Sequence, residues 1–127
     1  MRIEDYDSVC DVTKAADIET ALSKRHGGGT NSFWLSHKSE EFPTINIMVK
    51  GDLAYVHYFP KDRDPGFASV AKVVGPRPNE TSIFFVHPTE KVWVLNGALI
   101  PFSEALKAAQ EFSISTTMPK CIQWSAL

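Results

Sequence analysis

A chain of 127 residues that is 43% hydrophobic can bury one core, and residues 1–127 are expected to form a single domain. A net charge of −2 and a pI near 6.1 lay no cationic field over the surface, which argues against direct nucleic-acid binding. The opening MRIEDYDSVCD holds four acids and no apolar stretch, so it does not read as a signal peptide, and no run approaches the ~20 apolar residues of a membrane span.

Thr13 reads as the N-cap of a helix whose Ala15, Ile18, Ala21 and Leu22 form one apolar stripe. Lys24 and Arg25 suit its C-terminal turn, and Gly27-Gly28-Gly29 ends it. A phosphate-cradling glycine loop would need a strand before and a helix after, the reverse of this order. Residues 31–37 then alternate, with Phe33 and Leu35 on one face and Trp34 on the other. Residues 44–50 and 53–59 are two further strands, joined by Gly51-Asp52. A two-residue link with glycine first is the mark of a type II′ hairpin.

That turn sets Lys50 opposite Leu53, Val49 opposite Ala54, Ile47 opposite Val56 and Ile45 opposite Tyr58, which makes the core face. The other face pairs Met48 with Tyr55 and Asn46 with His57, with Phe59 beyond, and Trp34 joins it when the first strand pairs antiparallel. A solvated face would carry Thr, Lys and Glu, whereas Trp, Tyr, His, Met and Asn suit an interface. Two readings stay open: a recognition face, or a face covered by a second layer such as the C-terminal helix.

Residues 66–74 read as another strand, ended by Gly-Pro-Arg-Pro-Asn at 75–79. Residues 83–86 and 91–95 form a second hairpin around His-Pro-Thr-Glu. Pro101 opens a helix with Phe102, Ala105, Leu106, Ala109 and Phe112 buried along it. The tail ends in a short extended segment that turns Ile122 and Trp124 inward. This order predicts an α+β fold, an antiparallel sheet of about five to seven strands packed with an N-terminal and a C-terminal helix.

The residues form no coherent catalytic constellation. His26, His37, His57 and His87 are scattered, and no Ser or Cys sits in a nucleophile elbow. Cys10 and Cys121 lie far apart outside any metal or redox spacing, which predicts reduced thiols and a cytoplasmic setting. Asp62 and Asp64 could take a hard cation, but Lys61 and Arg63 neutralise them locally. His57 faces Asn46 and has no orienting carboxylate. No enzyme, cofactor or metal site is expected.

One set of residues is distinctive in its order and spacing taken together: Trp34, Gly51-Asp52, Tyr58-Phe59-Pro60, Pro65-Gly66-Phe67 with Ser69, Leu99-Ile100-Pro101, Glu104-Ala105-Leu106, and Pro119, Cys121, Ile122 and Trp124. From about Trp34 to Trp124 the chain resembles the immunity-protein family numbered one of bacterial polymorphic toxin systems. Ser115-Thr116-Thr117 stands where that family usually has a glycine-containing turn. The resemblance implies a cytoplasmic antitoxin, without catalytic residues or cofactors, that binds one cognate toxin domain and blocks its active site. The toxins are often nucleic-acid deaminases and sometimes nucleases, and each family member fits its own toxin.

A toxin that acts on nucleic acid needs a basic cleft, which an acidic, aromatic-bearing protein can occupy. Candidate toxin-binding residues are therefore Trp34, Asn46, Met48, Tyr55, His57 and Phe59, with Glu40, Glu41, Asp62 and Asp64 as a charged margin. The alternative class is a small-molecule-binding or self-associating α+β module without catalysis.

Overall fold

A computed structural model describes residues 1–37, 40–73 and 75–127. In chain order its elements are β1 (Arg2–Glu4), β2 (Val9–Asp11), α1 (Ala15–Leu22), β3 (Thr30–Ser36), β4 (Thr44–Lys50), β5 (Leu53–Phe59), β6 (Phe67–Val70), β7 (Thr81–His87), β8 (Glu90–Leu95), β9 (Ile100–Pro101), α2 (Phe102–Ser115) and β10 (Gln123–Ala126). The main sheet runs β10-β6-β5-β4-β3-β1-β2, with β9 added beside β5, and all its pairings are antiparallel. β7 and β8 form a separate two-stranded ribbon. The fold is α+β.

The opening hairpin of β1 and β2 carries no alternation that announces it. Its turn is built on Asp5, whose Oδ1 accepts the Asp7 and Ser8 N–H groups and the Ser8 hydroxyl at 2.8 to 3.0 Å. Burial opposes ionisation of this carboxyl, yet these bonds and one from Asn31 outweigh it and hold its pKa down to about 2.

α1 begins one residue later than expected. Lys14, not Thr13, is the N-cap, and no side chain caps the helix. The cause lies upstream: Val12 is pinned to Met1 by paired backbone bonds, so two residues are needed to turn into the helix. Lys24 and Arg25 also fall outside the last turn, beyond the C-cap Ser23. Arg25 nevertheless serves the helix end, donating to the Leu22 carbonyl at 2.6 Å. Its guanidinium also reaches the Gly51 carbonyl and lies 4.6 Å over the Phe102 ring. One side chain thereby ties α1, the β4–β5 turn and the start of α2 together.

The β4–β5 register is the one read from the turn, from Lys50↔Leu53 to Ile45↔Tyr58. Gly51 has φ +57°, the left-handed first position that a type II′ turn requires. β3 joins antiparallel and places Trp34 across from Asn46. β6 is shorter than residues 66–74, and Val74 lies outside the described residues. Ser69 stitches it to its neighbours: its Oγ accepts the Val56 N–H and donates to the Ala98 carbonyl.

Both helices lie on the core face. Ile18 and Leu22 of α1 and Ala105, Ala108, Ala109 and Phe112 of α2 pack with Phe33, Leu35, Ile45, Ile47, Val56 and Tyr58. Ala108 rather than Leu106 is fully enclosed, and Phe102 and Leu106 are only half-buried, because α2 presents its small residues where it meets α1 and the sheet. Ile122 is buried, and Trp124 packs against Tyr58 with its indole N–H on the Pro119 carbonyl.

The C-terminal helix therefore does not cover the outer face. The ribbon does, in part. Phe84 and Val94 close over Met48, with Tyr55 at the margin.

Candidate functional site

Where β4 and β5 emerge from beneath the ribbon, the outer face carries a row of rings. Tyr55, His57 and Phe59 follow one another along β5, and Trp34 arrives from β3. Tyr55 meets His57 edge-on at 6.1 Å, His57 stacks on Phe59 at 3.9 Å, and Phe59 stacks on Trp34 at 6.0 Å. The period-two alternation of strands puts three rings on one face, and the antiparallel register adds the fourth.

His57 Nε2–H donates to the Pro65 carbonyl at 2.7 Å, an orientation set by that acceptor. Burial lowers the imidazole pKa, and the carbonyl bond only partly offsets this, so the ring is neutral at pH 7. Two expected members of the row, its partners on β4, stand beside it on the same face but are buried. Asn46 is buried, its amide donating to Ser32 Oγ and the Phe33 carbonyl. Met48 is 3% exposed under the ribbon. β7 packs over β3 and β4, and its Phe84 takes Met48 out of solvent.

The β3–β4 and β5–β6 connections lie at the same end of the sheet. Between them lies a groove of about 750 Å³ floored by Trp34, Phe42 and Phe59. Glu40 and Glu41 line it from the first connection, Lys61, Arg63 and Asp64 from the second, and Arg2 and Glu4 from β1. Arg2 pairs with Glu4 at 3.5 Å, and Asp64 accepts the Gly66 N–H at 2.8 Å. Of the candidate residues, the fold thus gathers Trp34, Glu40, Glu41, Phe59 and Asp64 into one groove. His57 and the half-buried Tyr55 continue its floor toward the ribbon, while Asp62 is exposed outside it.

Two features escape sequence reasoning. Trp93 and Leu95 stand exposed on the outer side of the ribbon, a position readable from their alternation with Val92 and Val94. Asp5, Asp7 and His26 converge within 4.8 Å of one another, brought together only by the β1–β3 pairing. Lys24 Nζ lies 2.8 Å from Asp7 and 3.6 Å from Asp5, so its ammonium already supplies the positive charge. A metal would have to displace it.

The family model described as Immunity protein Imm1 matches residues 3–126. This chain belongs to that family. It is also 24% identical, over the full length of both chains, to the double-stranded DNA deaminase immunity protein of Burkholderia cenocepacia (strain H111). An Imm1 protein is an immunity protein, whose partner is a toxin. The match begins at Ile3 and so takes in the opening hairpin and α1. Within this Imm1 chain, several of the residues that carry the resemblance are joints of the scaffold: the Gly51-Asp52 turn, Gly66 packed against Tyr58, the Ser69 bridge, and the Trp124–Pro119 bond. Trp34 and Phe59 are the ones among them that reach the groove.

Proposed function

We propose that this Imm1 protein neutralises a DNA deaminase toxin in the cytoplasm by seating its aromatic groove over the toxin's active-site cleft. The observation that carries the reading is the Trp34–Phe59 stack, partly exposed on the floor of a groove edged by acids, in a chain of an immunity family. The partner's chemistry is taken from the name of the Burkholderia relative. The setting is supported by the two cysteines, Cys10 and Cys121, which are free thiols.

The division of labour follows from physical chemistry. A protein that acts on DNA carries a basic cleft for phosphates. Glu40, Glu41, Asp62 and Asp64 meet that cleft and speed encounter. Trp34 and Phe59, flanked by His57 and Tyr55, lose water on contact and slow release. Asn46 and Met48 brace the row from the neighbouring strand. Inhibition is stoichiometric, because the protein performs no turnover on the toxin.

The test is deamination of double-stranded DNA by the cognate toxin domain, titrated with this protein. One equivalent is expected to abolish product, and Trp34→Ala with Phe59→Ala is expected to require a large excess. A complex that forms yet deaminates at the free toxin's rate would rule out occlusion.

A further inference from the structure

We infer that the groove is a receptor for a single arginine side chain of the toxin, which rests on the toxin-binding role proposed above. Shape gives the first reason. Trp34 is 37% exposed at the floor of a concavity, so it receives a group, whereas Trp93, 62% exposed on the ribbon, stands out from the surface.

Charge gives the second. Four carboxylates line the groove against three cations. Glu4 already engages Arg2, while Glu40 and Glu41 have no cationic partner within 4.0 Å among the described residues. Lys61 and Arg63 repel a cation from the β5 side, which leaves the Glu40–Glu41 side as its way in.

The ring faces decide between the two basic side chains. A guanidinium is planar and weakly hydrated, so it lies flat on an aromatic ring while its forked N–H groups reach a carboxylate. An ammonium is a compact charge that holds its water. The same chain already uses this geometry internally, with Arg25 over Phe102 while donating to three carbonyls. In the groove, Trp34 takes the place of Phe102, since Phe59 is already stacked between His57 and Trp34, and Glu40 or Glu41 takes the place of the carbonyls.

The experiment needs no toxin. The indole N–H signals of Trp34, Trp93 and Trp124 are assigned with single Trp→Phe variants and followed by NMR. N-acetyl-arginine amide, and its neutral analogue N-acetyl-citrulline amide, are then added to tens of millimolar. Arginine amide is expected to shift the Trp34 signal and leave Trp93 in place; citrulline amide is expected to do neither. The folded variant with Glu40→Gln and Glu41→Gln should lose the shift. Equal shifts from both compounds, a shift at Trp93 instead, or no shift at all would overturn the inference. Toxin bound tightly by a protein whose Trp34 ignores arginine would remove this reading and keep the immunity role. Arginine held at Trp34 by a protein that leaves the toxin active would do the opposite, retaining the groove's chemistry and sinking the proposed function.

Discussion

The His57 imidazole lies on the Phe59 ring, centroids 3.9 Å apart and planes 16° from parallel, with its Nε2–H on the Pro65 carbonyl. This arrangement uses the neutral ring, and burial holds the pKa below the ordinary 6.5. The unfolded chain therefore takes up this proton at higher pH than the folded one. The stabilisation is complete above the ordinary value and is lost as pH falls through it toward the lower folded value. Thermal unfolding between about pH 7 and pH 5 should drop more steeply for the parent than for His57→Gln. Parallel curves would show that the ring's protonation is not linked to folding.

Two positive-φ positions carry opposite expectations. Gly66, at φ +79°, has no room for a Cβ, which would run into the Tyr58 carbonyl oxygen. Gly66→Ala should cost about 3 kcal/mol, through both the clash and the left-handed backbone. Thr116, at φ 58°, caps α2 in the left-handed conformation, at the turn where the family usually has glycine. Thr116→Gly should add about 1 kcal/mol by relieving that strain. Urea unfolding with unchanged m-values reads both, and a destabilised Thr116→Gly would refute the strain account.

Tyr58 and Tyr55 sit on opposite faces of one strand, and their truncation should fail differently. Tyr58 is 7% exposed among Phe67, Phe112 and Trp124, so Tyr58→Ala should lose about 3–5 kcal/mol of global stability. Tyr55 packs at the edge of the small cluster of Met48, Phe84 and Val94. Tyr55→Ala should cost less and act locally, speeding amide exchange in β7 and β8 while α2 keeps its protection. Uniform loss of protection across the molecule would show that the ribbon is not a separate unit.

The β4–β5 register is legible in the residues because a two-residue turn with glycine first admits one geometry, and every pair outward from Lys50 and Leu53 follows from it. The fate of the outer face is not. It depends on a ribbon that is apolar on both sides, with Phe84 and Val94 facing the sheet and Ile83, Phe85, Trp93 and Leu95 facing away. Alternation alone cannot say which side docks, so Met48 and Asn46 read as surface when they are buried. Strands of three residues, such as β1 and β2, are shorter than any pattern that would reveal them. The groove is legible only as parts. Glu40, Glu41 and Asp64 are visible as charges, but their meeting over Trp34 and Phe59 follows from two loops leaving the sheet at one end.

The central claim is that the toxin is held at the Trp34 groove. Its most direct test is a binding titration of the cognate toxin domain against Trp34→Ala, with thermal unfolding of the same sample. An aromatic anchor at the centre of an interface is worth at least about 2 kcal/mol, so affinity should fall by about thirtyfold or more. Because Trp34 is partly exposed and outside the main core, the unfolding midpoint should stay close to the parent's. A folded Trp34→Ala that binds the toxin as tightly as the parent would contradict the account and move the recognition surface elsewhere, with the Trp93 face of the ribbon as the next place to look.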